Sequence, residues 1–140
     1  MMADVIIIIP CGFLKVDKPT IAQDLYIGPY FRSNLAWAKS VAPEGQIYIL
    51  SAKHGLMPLH AVVAPYNLKM GQPGSVSALV IKDQASRLNL TDGRRVYGIG
   101  GKLYLDKLRS VFPDLRCPVE GKSIGVSMSI LKKNRGRLPG

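Results

Sequence analysis

Val5-Ile6-Ile7-Ile8-Ile9, closed by Pro10-Cys11-Gly12, is a continuous β-branched run with no polar residue inside it. A strand with one wet face alternates apolar and polar residues. A strand apolar at every position is covered on both sides, as in the centre of a parallel sheet. The run is far shorter than the roughly 18–20 residues that cross a bilayer. It has no preceding Lys or Arg and no small-residue cleavage site, so it reads as a strand rather than a signal peptide, with a cytoplasmic setting as the default.

Working outward, Phe31, Leu35, Ala38 and Val41 recur at helical spacing between about Pro29 and Val41, with Pro43 beyond. Gln46–Leu50 is a second short apolar strand. Ser51 to Gly74 holds Gly55, Pro58, Pro65, Gly71, Pro73 and Gly74 and reads as one long structured loop, of the kind that carries function in a compact domain. Helical spacing returns through Val76, Leu79, Val80 and Leu88. Thr91-Asp92-Gly93 then turns the chain into a third strand, Arg95–Ile99. Gly100-Gly101 opens a helix through Leu103, Leu105, Leu108 and Val111, stopped by Pro113. Leu115–Leu131 is expected to hold a short strand or loop and a final helical piece, before a frayed basic tail from about residue 132.

The order β-α-β-loop-α-β-α predicts a single α/β domain over residues 1–140. Its expected form is a three-layer sandwich around a mostly parallel sheet, with right-handed crossovers. Ligands of such sheets bind beyond the strands' carboxyl ends. That rule would gather Pro10-Cys11-Gly12 with Lys15, Ser51 to Gly55, and Gly100 to Lys102.

The 140 residues are 47% hydrophobic and 20% charged, which suits one globular core. Cys11 and Cys117 stand far apart with no Cys/His cluster, so reduced thiols are expected and neither a metal nor a cofactor is called for. The net charge is +10, and it is uneven. Residues 1–70 carry six basic and four acidic side chains, residues 71–140 thirteen and five. Such a field draws polyanions, nucleic acid before membrane, since no stretch has the bulky apolar face that membrane adsorption needs.

Ser51-Ala52-Lys53-His54-Gly55 has the strongest chemical character. A His just past a strand, before a Gly that lets the backbone turn, would project into the cleft and donate a hydrogen bond or a proton near neutral pH. Its plainer role is tying down a backbone carbonyl. Lys53 adds positive field or a nucleophilic amine; His60 has no glycine-rich context. Cys11 reads first as a buried small residue, and Lys15 as a phosphate or base contact. Gly98-Ile99-Gly100-Gly101-Lys102 allows either a single backbone phosphate at a helix start or plain helix–strand packing. It lacks Walker spacing, and Gly121-Lys122-Ser123 has Arg116 where the leading Gly should stand. Only Asp17 and Asp24 fall near the expected cleft, which gives paired-carboxylate metal catalysis little support. Tyr26, Tyr30, Tyr66 and Tyr104 could stack on bases.

Leu50-Ser51-Ala52-Lys53-His54-Gly55-Leu56 and the following Pro65-Tyr66-Asn67-Leu68 resemble the signature of the YaaA-like superfamily. Ile9-Pro10-Cys11-Gly12 with Lys15, and Asp24-Leu25-Tyr26 with Phe31, are similar to the amino-terminal motif of its compact bacterial and phage branch, a domain of unknown function. A related Pro-Cys-plus-Lys motif occurs in the archaeosine synthase domain. The resemblance covers about residues 5–110; His54 stands where YaaA-type sequences carry Tyr, and the chain is much shorter than YaaA. It implies a fold of the uracil-DNA-glycosylase class, DNA or RNA binding with DNA ahead, and the handling of modified bases.

The expected function is therefore a base-acting nucleic-acid enzyme of glycosylase type, cleaving the N-glycosidic bond of a flipped base. His54, Lys53 and Asp17 are the candidate catalytic residues: His54 for the departing base, Lys53 together with Lys15 for phosphate or an attacking amine, Asp17 for water. Cys11, Gly12, Lys15, Ser51, Tyr66, Lys69, Gly100, Gly101 and Lys102 are the candidate nucleic-acid contacts. The alternative is a non-catalytic DNA- or RNA-binding protein of phage or stress response.

Overall fold

The computed structural model of the chain describes residues 4–139. Strand β1 (Val5–Pro10) is buried along its whole length and lies inside a four-stranded sheet. Its neighbours β3 (Ile47–Ser51) and β6 (Arg95–Gly98) both run parallel to it, Ile7 opposite Ile47 on one side and opposite Tyr97 on the other. The pleat sends alternate residues to opposite faces. Val5, Ile7 and Ile9 join Trp37, Ala38 and Val41 of α2 (Pro29–Val41), with Leu131 of α5 (Ile124–Lys133). Ile6 and Ile8 join Ile81 and Ala85 of α3 (Ala78–Arg87), with Leu105 and Leu108 of α4 (Lys102–Val111). Helices therefore cover both faces. Each fully buried Ile contributes about 2 kcal/mol relative to an exposed one, which is why an unbroken apolar run belongs here.

The fold is mixed α/β with a mostly parallel central sheet, as the β-α alternation implies. The chain leaves β1 through α1 (Ala22–Leu25) and α2 to reach β3 on one side. It leaves β3 by way of α3 to reach β6 on the other. Connections diverging from the end of β1 open a crevice there, the expected place for a ligand.

Two expectations need correction. Ser51–Gly74 is not one loop: after a tight turn, β4 (Gly55–Pro58) returns antiparallel to β3, Leu50 opposite Leu56 and Tyr48 opposite Pro58. Then β5 (Val62–Val63) pairs with β2 (Thr20–Ile21) in a separate two-stranded ribbon. β4 escapes a periodicity reading because its apolar core is only Leu56-Met57, bracketed by Gly and Pro. The basic tail, secondly, is not frayed through residue 139. Gly136 donates its N–H to Ser40 Oγ at 2.9 Å, and Tyr97 Oη donates to the Pro139 carbonyl at 2.9 Å. Of the short strand or loop expected after Pro113, a single parallel bridge forms, Arg116 to Tyr97. No helix among the described residues is long and apolar enough to cross a membrane.

Candidate functional site

The carboxyl ends of β1 and β3 meet first. Cys11 donates its N–H to the Leu50 carbonyl at 3.0 Å, holding the Pro10-Cys11-Gly12 turn against β3. Gly12 then passes close to α2. A Cβ there would sit 3.4 Å from Phe31 Cβ and 3.5 Å from Tyr26 Cβ, in ordinary van der Waals contact with both. An antiparallel bridge next aligns Lys15 with Tyr26.

That bridge puts the Lys15 ammonium among three rings. Its Nζ lies 4.5 Å from the Tyr66 centroid, 5.7 Å from Tyr26 and 5.9 Å from Phe13, and it donates to the Phe13 carbonyl at 3.2 Å. Burial lowers the Lys15 pKa, and the neighbouring Cys11 thiol group works in the opposite direction. The ring faces favour the charged form. Lys69 Nζ lies 4.9 Å from the other partner, Phe13.

Ser51, fully buried at the end of β3, ties the next turn to the same rings. Its Oγ accepts N–H groups from Lys53 (3.1 Å) and His54 (3.0 Å) and donates to Tyr66 Oη at 2.7 Å. Tyr66 Oη and Tyr26 Oη share a further hydrogen bond of 2.6 Å. Burial pushes both phenols well above the usual tyrosine range, so both stay neutral. The His54 ring stands edge-on to Tyr66, 5.6 Å between centroids. Burial, and then the Lys53 charge, lower its pKa. His54 is thus neutral at pH 7, suited to donating a hydrogen bond rather than a full proton.

The His54 turn is clamped from α3 by a residue the sequence reading missed. Gln84 Nε2 donates to the His54 carbonyl at 2.7 Å, and Gln84 Oε1 accepts the Leu56 N–H at 2.8 Å. Gly55, at φ +74°, lies so close that a Cβ would collide with that oxygen. Only the Gly was legible; a half-buried Gln in a helix carries no signal of its own.

On the other flank, Gly100 (φ +152°) lets α4 start against β1, where a Cβ would sit 2.9 Å from Tyr104 Cβ. Tyr104 Oη then lies 3.3 Å from Cys11 Sγ. Between the flanks is a cleft of about 270 Å³, lined by Cys11, Gly12, Phe13, Lys15, Lys69 and Tyr104 together with Leu68 and Met70. Among the described residues no carboxylate lines it. Among the described residues no group of three or more His, Cys, Asp or Glu side chains converges as a metal site.

Cys11, Gly12, Lys15, Ser51, Tyr66 and Lys69 therefore come together, with Gly100 behind Tyr104. His54 joins through Tyr66 but does not line the cleft itself. Gly101 caps α4 and faces open space. Lys53 and Asp17 are exposed, and neither side chain bonds to the cluster. Lys102 is drawn to Asp106 at 2.7 Å, one turn along its own helix. Tyr26 and Tyr104, read from the sequence as possible base-stacking rings, belong to the cluster, and so does Phe13, which that reading did not single out.

A family model described as a family of unknown function, DUF6884, matches residues 6–133. The chain belongs to that DUF6884 family. The match runs from β1 to the last turn of α5, so the family's span includes both flanks of the cleft. No curated protein and no solved structure matches the chain.

Proposed function

We propose that the chain is a base-acting nucleic-acid enzyme of glycosylase type, taking a flipped base into the cleft at the carboxyl end of β1. The observation that carries this reading is the cation–aromatic cluster of Phe13, Lys15, Tyr66 and Lys69, with neutral His54 against its edge. Exposed Phe13 offers a ring for stacking, and Lys15 and Lys69 offer charge to the flanking phosphates. As the C1′–N bond breaks, its electron pair moves onto the base, and a base that reaches beyond the cleft lining to the edge of Tyr66 would meet the His54 N–H there as a hydrogen-bond donor. Burial also leaves Lys15 a larger neutral fraction than a solvated lysine has, which an attack on C1′ would need. DNA is the preferred substrate in this reading, and the setting cytoplasmic. The finer fold likeness, a three-layer sandwich of uracil-DNA-glycosylase kind within the YaaA-like superfamily, belongs to the same proposal. Helices on both faces of the sheet support it.

The test is incubation of the pure protein with oligonucleotides bearing normal and modified bases, with mass spectrometry for free base. Release is expected, falling about a hundred-fold in His54→Ala. No release from any substrate, or equal release by the variant, defeats the catalytic reading. A non-catalytic binding module is the second reading, favoured by the carboxylate-free lining, which offers no group to activate water. It predicts salt-sensitive binding without product.

A further inference from the structure

A second cavity, about 580 Å³ against the cleft's 270 Å³, lies at the other end of β6, where that strand begins. It falls within the 300–1,000 Å³ range usual for small-molecule sites. Leu90, Val96, Phe112 and Leu115, all buried, give it an apolar wall. Three guanidinium groups, Arg94, Arg95 and Arg116, share the lining with a single carboxylate, Asp114.

Those three cations are not equivalent. Arg95 reaches Asp4 at 3.7 Å, an exposed and long pair that contributes little. Arg116 stands 6.0 Å from the Tyr97 centroid. Arg94 is half-buried, and among the described residues no carboxylate pairs with it. Gly93, at φ +73°, turns the chain immediately before Arg94 and faces open space. A half-withdrawn guanidinium on a cavity wall is short of an anion, and its planar fork matches phosphate oxygens two at a time.

We propose that this cavity binds a phosphate-bearing ligand of nucleotide size, its phosphate on Arg94 and its ring against the Phe112 wall. Arg94, with no carboxylate pairing with it among the described residues, leaves a positive place on this wall, which suits a phosphate group. The apolar wall gives an uncharged ring a place that inorganic phosphate alone would leave empty. The site is separate from the cleft, so base release there stands or falls independently.

Calorimetric titration with adenosine 5′-monophosphate, adenosine and inorganic phosphate tests the proposal. The monophosphate should bind more tightly than either part. Arg94→Ala should weaken it about ten-fold or more, the loss of a charge-assisted hydrogen bond, while Lys15→Ala leaves it unchanged. Amide exchange in wild type should slow on binding at residues 90–95 and 112–116, and Arg94→Ala should melt with wild type. A five-nucleotide strand that binds more tightly than the monophosphate, with the same Arg94 dependence, makes a nucleic-acid chain the source; equal or weaker binding makes it a free nucleotide. No binding of the monophosphate, wild-type affinity in Arg94→Ala, or loss through Lys15→Ala alone overturns the proposal.

Discussion

At the scale of single residues the site is governed by which groups are kept neutral. Tyr26 and Tyr66 are buried phenols joined to each other and to Ser51, and their protons stay in place across the physiological range. His54 is the group that can change state. Burial, reinforced by Lys53, sets its folded pKa below the unfolded value of about 6.5. In the window between the two, the unfolded chain binds more protons, so stability rises with pH there and is lost as pH falls through the folded pKa. Above the unfolded value the contribution is flat. We expect an NMR titration midpoint for His54 below that of a free histidine. We also expect His54→Gln to lose part of the acid-side slope of melting temperature below about pH 6.5. A midpoint at or above the free value would contradict the environment described for the ring. The sequence named His54, Ser51 and Lys15 because their types are chemically loaded. It could not name Gln84, whose importance lies wholly in what it touches.

At the scale of elements the His54 turn depends on α3 as much as on β3. Ser77 caps α3, its Oγ accepting the Val80 N–H at 3.3 Å, and two turns later Gln84 holds the His54 turn and the start of β4. Ser77→Ala should cost about 1 kcal/mol, a few degrees of melting temperature in a domain of this size. Because Gln84 rides on that helix, amide exchange at His54 and Leu56 should quicken as well. Gln84→Ala should quicken the same two amides while leaving the start of α3 untouched, and exchange confined to α3 in both variants would disprove the clamp. The longer helices were legible, though four-residue α1 was not: Pro29–Val41 has the expected bounds, since apolar spacing and flanking prolines are written locally. β2, β4 and β5 were not. The two-residue β2 and β5 have no period to read and become strands only by pairing with each other far along the chain, while β4 is two apolar residues between Gly and Pro that fold back on β3.

At the scale of the whole molecule, charge and topology act together. The excess of +8 in residues 71–140 lies in the half that supplies β6, α4, α5 and the tied-down tail, while the cleft takes its cations from the first half, Lys15 and Lys69. If nucleic acid bridges these surfaces, log affinity should fall with log salt at a slope of about −3 or steeper, as several phosphates release counterions. Lys69→Ala should lessen that slope by about one; filter binding across a salt series measures both, and a slope near zero would exclude polyanion contact. By itself the sequence determined the buried central strand, the helix periods, the β-α alternation and the basic excess. These depend on neighbours a few residues away or on composition. Only the tertiary structure decided that Lys15 sits among the rings of Phe13, Tyr26 and Tyr66, that Gln84 grips the His54 turn, and that Tyr104 meets Cys11. Such meetings depend on strand register and on the faces to which crossovers deliver their helices, and those are settled by packing of the whole core.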